Sequence, residues 1–124
     1  MMSNTSSTAE RIGQAWLHHR DKRYSEALAE FEAILKQHPD DIDANYGKGL
    51  AYKALGQTEA AAAAFRRSLE LVEQARKEYE RTRAEQHPHD NVKTPEDDRF
   101  TMLIRMTTQR LNEATGEASS AALV

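Results

Sequence analysis

Two landmarks of the sequence return after 34 residues, and this recurrence limits the fold more than any other feature does. Ala27 and Phe31 stand four residues apart, and Ala61 and Phe65 repeat the pair at the same separation. Further pairs with the same offset are Ala15 with Gly49, His18 with Tyr52 and Leu35 with Leu69. Several matches at one offset indicate two copies of one structural unit, which buries its apolar face by stacking on a neighbour.

The residues around these landmarks predict a pair of helices in each copy. Apolar residues fall at spacings of three and four, which places them on one face of a helix. Pro39 ends the second helix of the first copy, and Gly56 ends the first helix of the second copy. Ser7 has the form of a helix cap, and either Asp40 or Asp41 can cap the third helix.

This pattern resembles the tetratricopeptide repeat. That repeat has a small residue and an aromatic in its first helix, a turn glycine, and an alanine and an aromatic in its second. The second copy matches it with Gly49, Tyr52, Gly56, Ala61 and Phe65. In the first copy Lys22 replaces the turn glycine, and it can adopt the left-handed conformation only with strain. The resemblance implies an all-α superhelix of two repeats, at about residues 8–41 and 42–74.

Beyond the second copy the chain departs from the family's pattern. No glycine or proline occurs between residues 72 and 87, so we expect one long fourth helix from about 58 to 86. Thr94 and Pro95 then have the form of a cap and a first helical residue. The last helix should end at Gly116 and cap the stack by folding back on the fourth. Its apolar stripe comprises Phe100, Leu103, Ile104, Thr107, Leu111 and Ala114.

The expected organisation is therefore one small domain with loose ends. Residues 1–7 are predicted to be disordered, and the two repeats fill residues 8–74. A helical extension, a loop and the capping helix occupy residues 75–116, and residues 117–124 form a loose tail. The pattern leaves open whether the last helix only caps the stack or also covers its groove.

Composition argues against several classes of function. The 17 basic and 20 acidic residues are well mixed, so no broad basic field is available for nucleic acid. The absence of cysteine leaves no disulfide and no thiolate metal site. No apolar run approaches the roughly 18–20 residues needed to cross a bilayer. Residues 1–8 lack the features of a secretion signal, so we expect a cytoplasmic protein.

The family resemblance also implies where a binding surface would lie. In this family the first helices of successive repeats line a concave groove, which holds a peptide or a helix of a partner protein. The corresponding positions here are Ile12, Trp16, His19, Arg20, Asp43, Tyr46, Leu50 and Lys53. Tryptophan, tyrosine and arginine are enriched among interface hot spots. We therefore expect a non-catalytic interaction module, such as an adaptor or a co-chaperone-like scaffold.

The chemistry of the groove positions narrows the expected ligand, although packing could also explain them. The family's grip on a partner's C-terminal carboxylate uses lysine and asparagine, where this chain has Ile12, Trp16 and Gly47. An apolar or amphipathic segment therefore suits the groove better. The alternative is that Trp16 and Tyr46 only pack between the repeats or under the last helix.

Two functions of other classes stay open. His87, His89 and Asp90 are residue types that bind zinc, yet such clusters in polar loops are usually solvated, and we expect no metal or cofactor. Met102 and Met106 could form a surface for a homo-oligomer or a partner. Neither a Ser/His/Asp arrangement nor a phosphate-binding glycine loop occurs, so no stretch supports enzymatic activity.

Overall fold

The computed structural model describes residues 7–89 and 93–116, and it contains five α-helices in these ranges. They are α1 (Thr8–Arg20), α2 (Tyr24–Gln37), α3 (Ile42–Ala54), α4 (Thr58–Gln86) and α5 (Pro95–Thr115). Each helix packs on the next in sequence, and α1 also contacts α3. None of the described residues forms a strand, and the all-α prediction is confirmed.

The helix boundaries follow the caps that the sequence indicated. The Ser7 hydroxyl accepts a hydrogen bond from the backbone N–H of Glu10 at 3.2 Å, so this residue of the expected disordered segment caps α1. Asp41, rather than Asp40, caps α3 by accepting from the N–H of Ala44 at 2.8 Å. The rest of the predicted disordered segment and the predicted tail, residues 1–6 and 117–124, lie outside the described residues.

The turns within the two repeats have the same backbone conformation despite their different residues. Gly56 has a φ of +80°, and Lys22 occupies the same left-handed region with a φ of +64°. In each turn the N–H that follows this residue donates to a carbonyl of the preceding helix. Gln57 donates to Tyr52 at 2.9 Å, and Arg23 donates to His18 at 2.8 Å. The first repeat therefore makes the glycine turn with a lysine, at a cost of about 1–2 kcal/mol.

Each repeat buries one aromatic ring against a glycine of α3. Phe31 and Phe65 are fully buried. A Cβ atom at Gly47 would lie 2.2 Å from Cζ of Phe31, and one at Gly49 would lie 2.5 Å from Cε1 of Phe65. Only glycine leaves room for these rings. The recurrent phenylalanine therefore contacts a glycine in both cases, although Gly49 lies in the same repeat as Phe65 and Gly47 lies in the repeat after that of Phe31.

Helix α5 packs along α4 in the opposite direction, as the sequence predicted. At one end the rings of Tyr79 and Phe100 lie 5.7 Å apart, and Arg83 binds Asp97 at 2.9 Å. At the other end Ala114 joins the buried cluster around Phe65. This arrangement makes α5 parallel to α3, the orientation of the first helix of a third repeat. Polar side chains on its outer face end the stack.

Candidate interaction groove

Trp16 on α1 reaches towards α3, where its side chain makes a polar contact with Asp43. It is half-buried, and its ring contacts the buried ring of Phe31 edge-on at a centroid distance of 5.1 Å. Ile12, one turn earlier, is also half-buried against the same cluster. Both predicted groove residues therefore pack on the core while part of each side chain remains at the surface.

The two predicted residues at the end of α1 differ in exposure. The ring of His19 lies 5.8 Å from that of Trp16 and 5.1 Å from that of Tyr24, with edge-on geometry at both contacts. Its Nε2 atom is buried and has no hydrogen-bond partner in the part of the chain that the structure describes. Arg20 is exposed, and its guanidinium lies 4.0 Å from the carboxylate of Asp21. His19 thus contributes mainly to packing, and Arg20 offers a charge.

The carboxyl group of Asp43 is influenced by side chains of both α1 and α5. Although much of the residue is exposed, neighbouring atoms withhold water from its carboxyl group and raise its pKa. A polar contact from the Trp16 side chain opposes this rise, the negative charge of Asp41 adds to it, and Arg99 opposes it. Asp43 therefore lies within electrostatic reach of a cation on the last helix.

Tyr46 and Leu50 continue the surface on α3. Both are half-buried against the cluster around Phe65, and the Tyr46 and Phe65 rings lie 5.6 Å apart. Burial raises the pKa of the Tyr46 hydroxyl, whereas the approach of Arg110 from α5 opposes the rise. Like Trp16, Tyr46 is held by the core and reaches the surface.

Lys53, the last predicted groove residue, connects α3 to α5. Its Nζ atom donates to Oε1 of Glu113 at 2.6 Å, and Arg110 binds the same oxygen at 2.7 Å. The hydrogen bond from Lys53 lowers the pKa of Glu113, and the charge of Arg110 adds to this effect. The end of α5 is therefore fixed against α3 by a three-residue ion cluster.

In the structure α5 adds a third wall to the candidate groove, a possibility that the sequence analysis left open. The residues of α5 that approach α3 are Arg99, Arg110 and Glu113. With Met106 they form one stripe, because their spacings of seven, four and three residues keep them on one side of a helix. Met102 lies beside this stripe and is 58% exposed. The spacing was visible in the sequence, but the direction in which the stripe points was not.

Among the described residues, no further metal-ligating side chain joins His87 and His89. His87 and His89 are exposed, and Asp90 lies outside the described residues. Within residues 7–89 and 93–116, no three His, Cys, Asp or Glu side chains are placed to hold a metal ion. Over the same ranges, no helix is long and apolar enough to span a membrane.

The chain is a helical-repeat protein, because its antiparallel helix pairs stack on one another and each pair packs a phenylalanine ring against a glycine. A profile of the tetratricopeptide repeat family matches residues 18–85, which is more than half of the chain. The chain therefore belongs to the tetratricopeptide repeat family. Repeats of this family generally mediate protein–protein interaction and are typically non-catalytic. Comparisons with curated proteins and with solved structures gave no match.

Proposed function

We propose that this protein is a cytoplasmic adaptor that holds a peptide or a helix of another protein in its concave groove. The observation that carries the proposal is that the Trp16 side chain is both packed on the core and partly exposed. Its ring is fixed against the buried Phe31, yet part of the side chain remains available to a partner. A fixed aromatic loses little side-chain freedom on binding, so more of its contact energy contributes to affinity.

The surroundings of Trp16 support the same proposal. Tyr46 presents a second ring that is held by the core, and Leu50 adds apolar surface on the same helix. Charged groups border these residues, as polar rims border the apolar centres of protein interfaces. The groove thus combines apolar anchors with an ionic margin, a composition suited to an amphipathic segment.

A peptide selection tests the proposal without knowledge of the natural partner. A displayed library of random peptides of about 16 residues, long enough for four helical turns, is selected on the immobilised protein. Binding of the enriched peptides is then measured by fluorescence anisotropy. We expect Trp16→Ala to weaken binding by roughly 30-fold, the effect of losing a hot-spot residue.

The adjacent Leu17 provides the matched control. It is 41% exposed and points about 100° away from Trp16 around the helix. Leu17→Ala should leave peptide affinity unchanged. Circular dichroism identifies the temperatures at which both variants are folded, and affinities are compared there. Equal affinity of Trp16→Ala and Leu17→Ala, or failure to enrich any peptide, would contradict the proposed groove.

A further inference from the structure

The charge of the groove differs from that of the whole chain. The protein has 17 basic and 20 acidic residues, a net charge of -3. Among the predicted groove positions and the stripe of α5 the balance reverses to four cations and two carboxylates, while Asp21 and Asp41 lie at the border of this surface. The cations are Arg20, Lys53, Arg99 and Arg110, and the carboxylates are Asp43 and Glu113.

Among these cations, Arg99 has the fewest ion-pair contacts. Lys53 and Arg110 both bind Glu113, at 2.6 and 2.7 Å, and Arg20 lies 4.0 Å from Asp21. Arg99 forms no ion pair within 4.0 Å among residues 7–89 and 93–116, although its charge reaches Asp43. Its guanidinium therefore retains donors for a carboxylate from outside the chain.

The same side of α5 presents apolar surface next to Arg99. Met102 follows it by one turn and is 58% exposed, and Met106 is half-buried one turn further on. Methionine side chains are flexible and adapt to irregular apolar partners. A ligand along this wall would meet a cation and then two apolar side chains at helical spacing.

We propose that the groove binds an acidic amphipathic segment of a partner protein, with carboxylates directed to Arg99 and apolar residues packed on Met102, Met106 and Trp16. This inference rests on the proposed function, because it names the ligand class of the same groove. We infer an acidic ligand because its negative charge would complement the cations of the groove. A basic segment would bring its cations beside Arg99 and Arg110.

The test uses the peptides that a random library yields on the wild-type protein. We expect enriched peptides to combine apolar residues with a net negative charge. Arg99→Glu should weaken their binding roughly tenfold, because reversal of a rim charge replaces an attraction by a repulsion. Neutral versions of the peptides, with Asp and Glu changed to Asn and Gln, should bind wild type and Arg99→Glu about equally.

Arg105→Glu is the matched control for this experiment. Arg105 is exposed on the same helix, has no ion pair within the described ranges, and points about 120° away from Arg99. The two variants change the net charge equally, so only Arg99→Glu should alter affinity for the acidic peptides. Equal effects of the two substitutions would overturn the inference, because they would indicate a general response to charge.

The remaining outcomes separate the two proposals. Enrichment of neutral or basic peptides that depend on Trp16 would overturn the acidic ligand and leave the groove as the binding site. Failure to enrich any peptide would contradict both proposals. If the protein instead forms a dimer by light scattering that Arg99→Glu abolishes and Arg105→Glu does not, the occupant is a second copy, and the proposed partner is wrong.

Discussion

Replacement of Gly47 by alanine should destabilise the protein through one defined clash. The added Cβ would lie 2.2, 2.5 and 2.6 Å from Cζ, Cε1 and Cε2 of Phe31, so it would press on the end of the ring. The ring has little room to retreat, because Phe31 is fully buried and Trp16 packs against it. Overpacking of this kind costs about 1–3 kcal/mol.

The helix itself favours alanine, and the net effect must include this gain. Alanine exceeds glycine by about 1 kcal/mol in a helix interior, so the clash is partly offset. We expect Gly47→Ala to lower the free energy of unfolding by up to about 2 kcal/mol. Urea denaturation followed by far-UV circular dichroism measures this change. The apparent Tm should fall by roughly 4 °C for each kcal/mol.

Gly13 provides the control with the opposite sign. It is an exposed residue of α1, and an added Cβ would meet nothing within 4 Å. Gly13→Ala should therefore stabilise the protein by about 0.5–1 kcal/mol through helix propensity alone. Phe31→Leu replaces the ring by a shorter side chain and should make Gly47→Ala less costly. The double variant should therefore lose less stability than the two single variants lose together. Equal stability of Gly47→Ala and Gly13→Ala would refute the packing argument.

Two further predictions concern the left-handed turn of the first repeat and the cap of α5. Lys22→Gly should raise the free energy of unfolding by about 0.5–1 kcal/mol, since relief of strain exceeds the entropy gained by the unfolded chain; an unchanged midpoint in urea would contradict this. The backbone N–H of Thr94, followed by its hydroxyl and Arg83, lowers the pKa of Asp97 below its ordinary 3.8. This stabilisation is present above the ordinary pKa and lost as the pH falls through the lowered one, so Asp97→Asn should reduce Tm at neutral pH and less so in strong acid. A gap in Tm that stays constant with pH would show that the carboxylate charge is not responsible.

The elements that were predictable from sequence are those that local chemistry determines. The length of α4 follows from the absence of a glycine or proline before Pro88, and its start at Thr58 follows from the turn at Gly56. The capping pair of Thr94 and Asp97 sets the start of α5. These features depend on neighbours in sequence, so the pattern alone was sufficient to predict them.

The candidate groove was less predictable, because its third wall depends on contacts between distant residues. The apolar stripe of α5 indicates which face is buried, and it does not indicate which flank lies towards α3. Arg110 and Glu113 gained a role only when the structure placed them beside Tyr46 and Lys53. Similarly, the spacing placed His19 on the groove side of α1, but the rings on either side of it could not be known.

The ion cluster between α3 and α5 also affects the order of folding. Lys53 and Glu113 are 60 residues apart in the chain, whereas the neighbouring helices of the two repeats meet through short turns. Contacts between near neighbours form fastest, because little loop-closure entropy is lost. The ion cluster should therefore form after α5 has packed on α4, its neighbour in sequence. A ligand that contacts both α3 and α5 would add to this contact between distant residues and slow its opening.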